Sequence, residues 1–189
     1  SGIGTTAIML MRALGAGTIF TTAGTRAKCN ACRDLGADRT INYREQDFEA
    51  VVARETGGRG VDIVLDMVAG DYVPKDIACL ADDGRLVFVG RMSQKLDVTV
   101  NVNRIMYKRL IVTGLSIRGQ PVATKGRIAR ALRETVWPLL EARTIAPVID
   151  LVLPFERLHE AHERLLASTH IGKIVLTFGE ASHNERNRP

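Results

Sequence analysis

Residues 1–10 read SGIGTTAIML, and this stretch decides how the rest of the chain is interpreted. Gly2 and Gly4 are separated by one residue and lead directly into apolar residues at helical spacing. A glycine turn of this kind normally connects a strand to the helix that follows it. The stretch therefore predicts one strand–turn–helix unit, which the chain enters at its turn.

The alternation of strands and helices continues along the chain. Apolar residues at helical spacing predict helices at 4–14, 25–35, 48–56, 72–80, 103–109, 125–141 and 155–166. Short runs of β-forming residues predict strands at 18–22, 40–43, 61–66, 86–90, 96–101, 110–114, 147–153 and 173–178. A turn is predicted at Asp82-Asp83-Gly84, and the polar residues 179–189 predict a disordered tail.

The strands at 61–66 (VDIVLD) and 86–90 (LVFVG) are apolar on both faces. Such strands are typical of parallel sheets covered by helices on both sides. The predicted fold class is therefore α/β, with a doubly wound parallel sheet. The strand at 96–101 alternates instead, like a half-exposed edge strand.

Composition narrows the possible functions. The 189 residues carry a net charge of +5, which favours anionic ligands, although an ordinary solvated basic surface explains the same number. Nucleic acid is disfavoured as a partner because no RNA-binding motif accompanies the charge. No apolar run approaches the length of a membrane span. Three cysteines, an odd and low count, fit a reducing compartment such as the cytoplasm.

A glycine turn ahead of a helix, repeated strand–helix units and a basic charge together indicate a site for a phosphorylated dinucleotide. Gly2, Ile3 and Gly4 fit the end of such a turn, where backbone N–H groups and the helix amino end face the pyrophosphate. A lone pair of glycines is common in plain turns, so the prediction depends on the units that follow.

The cofactor preference is predicted from residues 21–28, which read TTAGTRAK. A site for NAD usually has an acid here for the ribose 2′-hydroxyl, but this stretch has none. Lys28 and Arg26 suit a 2′-phosphate, and Thr25 can donate a hydrogen bond to it. The alternative is an exposed basic first turn, although cations there oppose the helix dipole.

Several segments in a fixed order resemble the zinc-independent quinone oxidoreductases of the medium-chain dehydrogenase/reductase superfamily. The segments are SGIGTTAIMLMRALGA, TAGTRAKCNACRDLGADRTINY, GGRGVDIVLDMVAGDY, GRLVFVG and HIGKIVLTF, which together extend to about residue 178. The resemblance implies a Rossmann domain that binds NADPH, at residues 1–145. It further implies that residues 146–178 return to a GroES-like catalytic domain, and that the chain is a C-terminal fragment lacking that domain and the first Rossmann strand.

The resemblance also implies roles for individual residues. Gly2 and Ile3 are expected at the pyrophosphate, and Gly24, Lys28 and Tyr43 around the 2′-phosphate. Val68, Val89, Gly90 and Ser116 are expected on the nicotinamide side. Lys173 is expected to approach the phosphates from the returning segment. No catalytic or metal-binding residue is expected within this chain.

In the intact relative, hydride passes from NADPH to a quinone or a similar conjugated acceptor. The chain alone is expected to be inactive or nearly so, because the substrate wall belongs to the absent domain. Two alternatives stay open: a reductase of enones or enoyl thioesters, and a non-catalytic nucleotide- or RNA-binding module. A homodimer is expected through the edge strands at 96–101 and 110–113.

A missing central strand would leave two half-sheets with unpaired edges. One hypothesis is that the strand at 173–178 fills that position, in its own chain or by exchange with another copy; another is that a separate upstream peptide does.

Three other motifs are set aside. Cys29 and Cys32 form a CxxC within a predicted helix and have no second pair for zinc, so packing is the favoured role. His159 and His162 have the wrong spacing for HExxH and indicate a solvated helix face. Neither the Tyr–Lys pair of short-chain dehydrogenases nor a G-x-S-x-G elbow is present.

Overall fold

The computed structural model describes residues 1–179. The predicted tail, apart from Gly179, lies outside the described residues. The chain divides into two compact units, Ser1–Thr40 with Leu132–Pro189, and Ile41–Ala131. The predicted domain boundary at residue 145 follows a different division and stays a prediction. Within residues 1–179 no helix is both long and apolar enough to cross a membrane.

The helices and strands are as follows. The helices are α1 (Gly2–Ala13), α2 (Arg26–Asp34), α3 (Phe48–Glu55), α4 (Val73–Cys79), α5 (Val102–Tyr107), α6 (Val122–Thr135), α7 (Trp137–Glu141) and α8 (Leu158–Leu166). The strands are β1 (Phe20–Ala23), β2 (Arg39–Asn42), β3 (Val61–Asp66), β4 (Leu80–Phe88), β5 (Ile111–Gly114), β6 (Ile149–Pro154) and β7 (Lys173–Thr177). Short 3-10 turns at Gly70–Tyr72 and Phe155–Arg157 precede α4 and α8.

The predicted glycine turn is the first turn of α1. The helix begins at Gly2, and the Ser1 hydroxyl accepts a hydrogen bond from the Gly4 amide at 3.2 Å. Serine is among the strongest N-capping residues, so the helix starts two residues before the predicted position. Gly2 and Gly4 thus belong to the amino end of a helix.

The first unit has a small apolar core at the end of α1. Ile8, Ile19 and Ala37 are buried together. Asp38 closes this corner, because its Oδ2 accepts hydrogen bonds from the Ile19 amide at 2.8 Å and from Arg12 at 2.6 Å. These bonds position β1 after α1, and β1 forms a two-stranded sheet with β2.

The second unit contains a parallel sheet in the order β3-β4-β5. Asp66 aligns with Phe88, and Phe88 aligns with Gly114. The three strands therefore end at the same edge of the sheet. The prediction that the VDIVLD and LVFVG segments lie side by side in one direction is confirmed, as is the α/β fold class with parallel sheets.

The start of β4 differs from the prediction. β4 begins at Leu80, and the predicted turn at 82–84 lies within the strand, where the register against β3 shifts between Val61 and Ile63. Asp83 adopts a positive φ of 60° there. The turn-forming residues therefore produce a bulge inside a strand rather than a loop before one.

Two predicted strands of the second unit have different surroundings from those expected. β3 is an edge strand, and Ile63 and Leu65 are 51% and 39% exposed, so the predicted burial of both faces is wrong. Residues 96–101 form no strand, although Val98 and Val100 pack against the core of buried residues around Leu80 and Leu86.

The predicted long helix at 125–141 is two helices. α6 ends at Thr135, and α7 begins at Trp137 with Pro138 in its first turn. Proline has no N–H to donate, and its ring clashes with the preceding helical turn. The helix therefore breaks just before Pro138.

β6 and β7 form a separate parallel pair connected by α8. β7 pairs with β6 alone among the described strands. The hypothesis that residues 173–178 fill a central position in the sheet of their own chain is therefore wrong, whereas exchange of this strand with another copy stays a prediction.

Candidate functional site

The amino end of α1 is a polar surface of the first unit. The first N–H groups of a helix have no partner within the helix, and the Ser1 hydroxyl caps that of Gly4. The first turn contains no acidic residue, and Ile3 is exposed. The amides of Gly2 and Ile3 and the positive end of the helix dipole are thus suited to an anion.

Lys173 packs against this end of the helix. A Cβ added to Gly2 would overlap Lys173 Cε and would lie 2.5 Å from its Nζ. The lysine side chain therefore occupies the space that any residue other than glycine would fill. The glycine is needed for the close approach of a cation.

Lys28 lies in the first turn of α2, directly after the N-cap Thr25. The Thr25 hydroxyl accepts a hydrogen bond from the Lys28 amide at 3.3 Å, so in this structure it acts as a cap. The Lys28 ammonium donates a hydrogen bond to the carbonyl of Ser168. Gly24 immediately precedes the cap and is half-buried, whereas Arg26 is exposed.

The charges near Ser1 show that the two lysines converge. The pKa of the Ser1 amino group is lowered first by burial, then by Lys28 and, more weakly, by Lys173, while Cys32 acts in the opposite direction. Two cations on different segments therefore lie within electrostatic reach of the amino end of α1. This concentration of positive charge, with N–H donors beside it, suits a phosphate group.

The carboxyl edge of β3-β4-β5 is the polar surface of the second unit. The loops that leave this edge contain Val68, Val89, Gly90 and Ser116. Val68 accepts hydrogen bonds through its carbonyl from the amides of Met92 and Ser93, at 3.2 Å and 2.9 Å. A Cβ on Gly90 would lie 3.7 Å from the Met67 carbonyl oxygen. The loops after β3 and β4 are thus joined at this edge.

Ser116 follows β5 at the same edge. The amide of Leu115 donates a hydrogen bond to the Phe88 carbonyl at 2.9 Å, which holds the chain beside the end of β4. Ser116 is exposed. Ligands of parallel α/β sheets bind outside the carboxyl ends of the strands, so this edge is where a ligand is expected.

Tyr43 belongs to an aromatic cluster of the second unit. Its ring meets Tyr72 edge-on at 6.5 Å, and Tyr72 packs against Phe48 at 5.2 Å. Lys75 lies over Phe48 and forms an ion pair with Asp47 at 3.0 Å. Tyr43 itself is exposed and can present its ring or hydroxyl to a ligand.

The predicted site residues thus form two sets. In the first unit, Gly2, Ile3, Gly4 and Lys28 lie around the amino end of α1, with Gly24 and Thr25 at the start of α2. In the second unit, Val68, Val89, Gly90 and Ser116 share the carboxyl edge, and Tyr43 lies in the aromatic cluster. Their roles toward a ligand stay predictions.

Sequence reasoning missed residues that support these sets. Asp66 binds the turn after β3, and a carboxylate at a strand end followed by small residues is an available sign of such a turn. Tyr72 packs on Tyr43, and the sequence gives no sign of that contact. Asp76 is a buried acid, and the sequence gives no sign of its burial.

The motifs set aside earlier have structural roles. Cys29 is buried on α2, and Cys32 packs beside the core at Ile8. His159 Nε2 lies 3.1 Å from Glu163 Oε1, and both side chains are exposed on α8. Residues 1–179 bring together no group of three or more His, Cys, Asp or Glu side chains that could hold a metal ion.

Parallel strands with ligand-suited loops at their carboxyl edge define the class of α/β domains related to nucleotide-binding folds. Residues 2–136 match the family described as zinc-binding dehydrogenase, and the chain belongs to this oxidoreductase family. Although the family is described by zinc, residues 1–179 hold no zinc ligand set.

Individual relatives confirm the resemblance to quinone oxidoreductases. The chain is 28% identical to human quinone oxidoreductase over 176 residues, which cover 93% of this chain and 51% of the relative. It is 32% identical over 185 residues to lovastatin diketide synthase lovF of Aspergillus terreus, covering 93% of this chain and 7% of the synthase. The chain thus spans about half the length of the quinone oxidoreductase and a small part of the synthase.

Solved structures agree with the fold. A crystal structure of an NAD-dependent alcohol dehydrogenase matches with a TM-score of 0.77 and 31% identity, covering 95% of this chain and 49% of the other. Escherichia coli quinone oxidoreductase complexed with NADPH matches with a TM-score of 0.75 and 28% identity, covering 93% of this chain and 54% of the other. The described units therefore have the Rossmann-like fold of this superfamily.

Proposed function

We propose that this chain is the NADPH-binding portion of an oxidoreductase that transfers hydride to a quinone or a similar conjugated acceptor. The observation that carries the proposal is the convergence of Lys28 and Lys173 on the amino end of α1. Two cations, helix amides without an intrahelical partner and the absence of acids from the first turns of α1 and α2 favour the binding of an anion.

The preference for NADPH over NADH is proposed from the surroundings of Lys28. An NAD site usually has a carboxylate about 20 residues after the glycine turn, at the end of the next strand. In this chain that strand is β1, and residues 22–28 at its end contain no acid. Without a phosphate, the Lys28 ammonium binds the Ser168 carbonyl, a neutral acceptor. Exchange of this partner for a dianionic phosphate strengthens the hydrogen bond.

The second unit is proposed to hold the nicotinamide end of the cofactor. Val68, Val89 and Gly90 lie where a parallel sheet presents its ligand, and their backbone is held by hydrogen bonds between the two loops. When NADPH is bound, the cofactor supplies the hydride, and the protein supplies orientation and a dry surface.

A second candidate acceptor, an enone or enoyl thioester, stays open beside the quinone. Both candidates use the same proposed cofactor site, so a test of cofactor binding applies to either.

Calorimetric titration of the whole chain with NADPH and NADH tests the proposal. We expect NADPH to bind at least about tenfold more tightly, because a charge-assisted hydrogen bond to the 2′-phosphate contributes about 1.5 kcal/mol or more. Lys28→Ala should remove this preference, because it deletes the cation at the 2′-phosphate. Lys125→Ala, at an exposed lysine on α6, should retain it.

Equal affinity for the two cofactors, or a preference that survives in Lys28→Ala, would contradict the NADPH assignment. Salt-sensitive binding of RNA without any effect of NADPH on thermal stability would favour the non-catalytic alternative.

A further inference from the structure

Two acidic side chains of the second unit are buried side by side. Asp66 ends β3 and is 4% exposed, and Asp76 lies on α4 and is 5% exposed. Burial of two unpaired carboxylates would be strongly unfavourable. Burial therefore favours a proton on at least one of the two, and the hydrogen bonds around them indicate which.

Asp66 is the carboxylate of the pair. Its Oδ1 accepts from the amides of Val68 at 2.6 Å and Ala69 at 3.1 Å, and its Oδ2 accepts from Ala69 at 2.9 Å. Both oxygens serve as acceptors to N–H donors, as expected for an ionised carboxyl group. Asp66 thus ties down the turn formed by residues 67–69.

Asp76 is the protonated member. It is hydrogen-bonded to Asp66, and its Oδ2 has no partner among the described residues. Since Asp66 already accepts from N–H groups, the shared proton lies on Asp76. Burial, followed by the charge and the hydrogen bond of Asp66, raises the pKa of Asp76 to about 8.

The other groups that face Asp76 do not compete for this proton. Tyr72, from the turn before α4, and Cys79, on α4 itself, interact electrostatically with Asp76, and burial raises the pKa of each. Cations of the elements packed around α4 have other partners: Lys75 binds Asp47, Arg104 binds Glu49, and Lys108 binds the Leu80 carbonyl. The remaining charged residues of β4, namely Asp82, Asp83 and Arg85, are exposed.

The turn that Asp66 holds needs such support. Ala69 adopts φ 60° and ψ −154°, a backbone conformation that residues other than glycine rarely adopt. The carbonyl of Val68 accepts the two bonds that fix residues 92 and 93, and the Val89 amide donates to the Asp66 carbonyl at 2.8 Å. Displacement of this turn would therefore move both loops at the carboxyl edge.

We propose that Asp76 is a positioning residue: by donating its proton to Asp66, it holds the 67–69 turn in the shape that presents Val68 to the cofactor. The part concerning the cofactor rests on the proposed function. Ionisation of Asp76 places a second buried charge against Asp66, weakens the hold on the turn and lowers cofactor affinity.

The direction of the pH effect follows from linkage. The pKa of Asp76 is near its ordinary value of 3.8 in the unfolded chain and about 8 in the folded chain. The contribution of protonated Asp76 to the free energy of unfolding is fully present below about pH 3.8. It is lost as the pH rises to about 8, and above that pH it no longer changes. Relative to Asp76→Asn, the unfolding constant should rise about tenfold per pH unit through this window.

NMR titration of the whole chain tests the turn directly. In a titration from about pH 6 to about pH 10, the amide chemical shifts of Val68 and Ala69 should change with a midpoint near the pKa of Asp76. Asp76→Asn keeps the size of the side chain and a donor but has no proton to lose, so its amides should not titrate. Asp82→Asn, at an exposed acid on β4, should titrate like the unmodified chain. Constant amide shifts, or a midpoint that persists in Asp76→Asn, would overturn the proposal.

Cofactor affinity tests the second half of the proposal. Binding of NADPH should weaken at least about threefold between pH 7 and pH 9 in the unmodified chain and not in Asp76→Asn. Absence of NADPH binding at every pH would contradict the proposed function, while the amide titration would still decide the role of Asp76 in the turn. A titrating turn with pH-independent NADPH affinity would overturn the role in cofactor positioning alone.

Discussion

At the scale of single residues, Gly2 matters because it leaves space for a neighbouring side chain. Its position in a glycine motif suggests instead a role in a turn. Gly2 is the first residue of α1, so the cost of glycine relative to alanine, about 1 kcal/mol in a helix interior, applies here only in part. Its missing side chain leaves space for the stem of Lys173. Glycine thus makes this helix end less stable than alanine would, but it allows the Lys173 side chain to lie against the helix end.

Gly2→Ala should therefore separate folding from binding. Lys173 is a flexible, exposed side chain that can swing away, so the free energy of unfolding should change by less than about 1 kcal/mol. NADPH affinity should fall about fivefold, which corresponds to about 1 kcal/mol, because the cation leaves the helix end. Urea unfolding and calorimetric titration measure the two quantities.

Gly4→Ala is the matched control for this substitution. A Cβ there meets only the Ser1 hydroxyl at 3.6 Å, an ordinary contact, and would displace no cation. Its NADPH affinity should stay within about twofold of the unmodified chain. An equal loss of affinity in the two variants would show that both glycines are needed for backbone approach and that Lys173 contributes nothing.

Local sequence rules predicted the residues whose roles depend on chain neighbours. Thr25 and Lys28 lie at the start of α2 because a hydroxyl residue before a helical run is a reliable N-cap. The Asp66–Asp76 pair could not be predicted, because its members are ten positions apart on different elements. Burial, which determines their protonation, is a property of the packed unit.

At the scale of elements, the junction of β3 and α4 is closely packed at the backbone level. Gly60 precedes β3 with φ 89°, and a Cβ on it would overlap the Cys79 carbonyl oxygen at the end of α4. This obstacle is backbone, which cannot move aside as a side chain can. The register shift opposite the start of β4 lies next to it.

Gly60→Ala should accordingly destabilise the chain far more than a glycine substitution at a similar φ in open space. Gly58→Ala is the matched control, since its φ is 84° and nothing lies within 4 Å of the added Cβ. Both variants carry the cost of a positive φ, about 1 kcal/mol or more. Gly60→Ala should lose about 2 kcal/mol further from the overlap, measured as the free energy of unfolding in urea. Equal losses would show that backbone conformation is the whole effect.

Element positions were predicted where pattern and packing agree. β3 was predicted at its observed bounds because Val61 and the apolar run 63–65 favour a strand and glycines precede them. The prediction of a strand at 96–101 was wrong. Alternating apolar residues indicate that one face is buried, but they do not indicate that a neighbouring strand is available for hydrogen bonding. Val98 and Val100 have that buried face on the core, yet no neighbouring strand pairs with their backbone.

At the scale of the whole molecule, apolar surface remains exposed within each unit. In the second unit, every residue of β5 is exposed, and β5 is the outer strand of its sheet. Exposed edge strands with apolar side chains are templates for pairing with another chain. Leu115 and Ile117 extend the exposed apolar surface beyond the strand.

We propose that two copies of this chain associate through β5, with the sheets continuing across a two-fold axis. A two-fold arrangement satisfies the outer backbone groups of both β5 strands at once, which favours a closed dimer. Residues 96–101, originally expected to share this seam, do not form a strand, so β5 carries the pairing. Sedimentation equilibrium of the whole chain should show a dimer.

Val112→Lys tests this pairing. Val112 is 41% exposed on β5, and a lysine there places two like charges close to the seam, so the dissociation constant of the dimer should rise at least about tenfold. Leu166→Lys is the matched control, because Leu166 is an 83% exposed apolar residue on α8, and its dimer should be unchanged. A monomer in the unmodified chain would contradict pairing altogether. A dimer that Leu166→Lys dissociates and Val112→Lys does not would transfer the interface from β5 to the surface around α8.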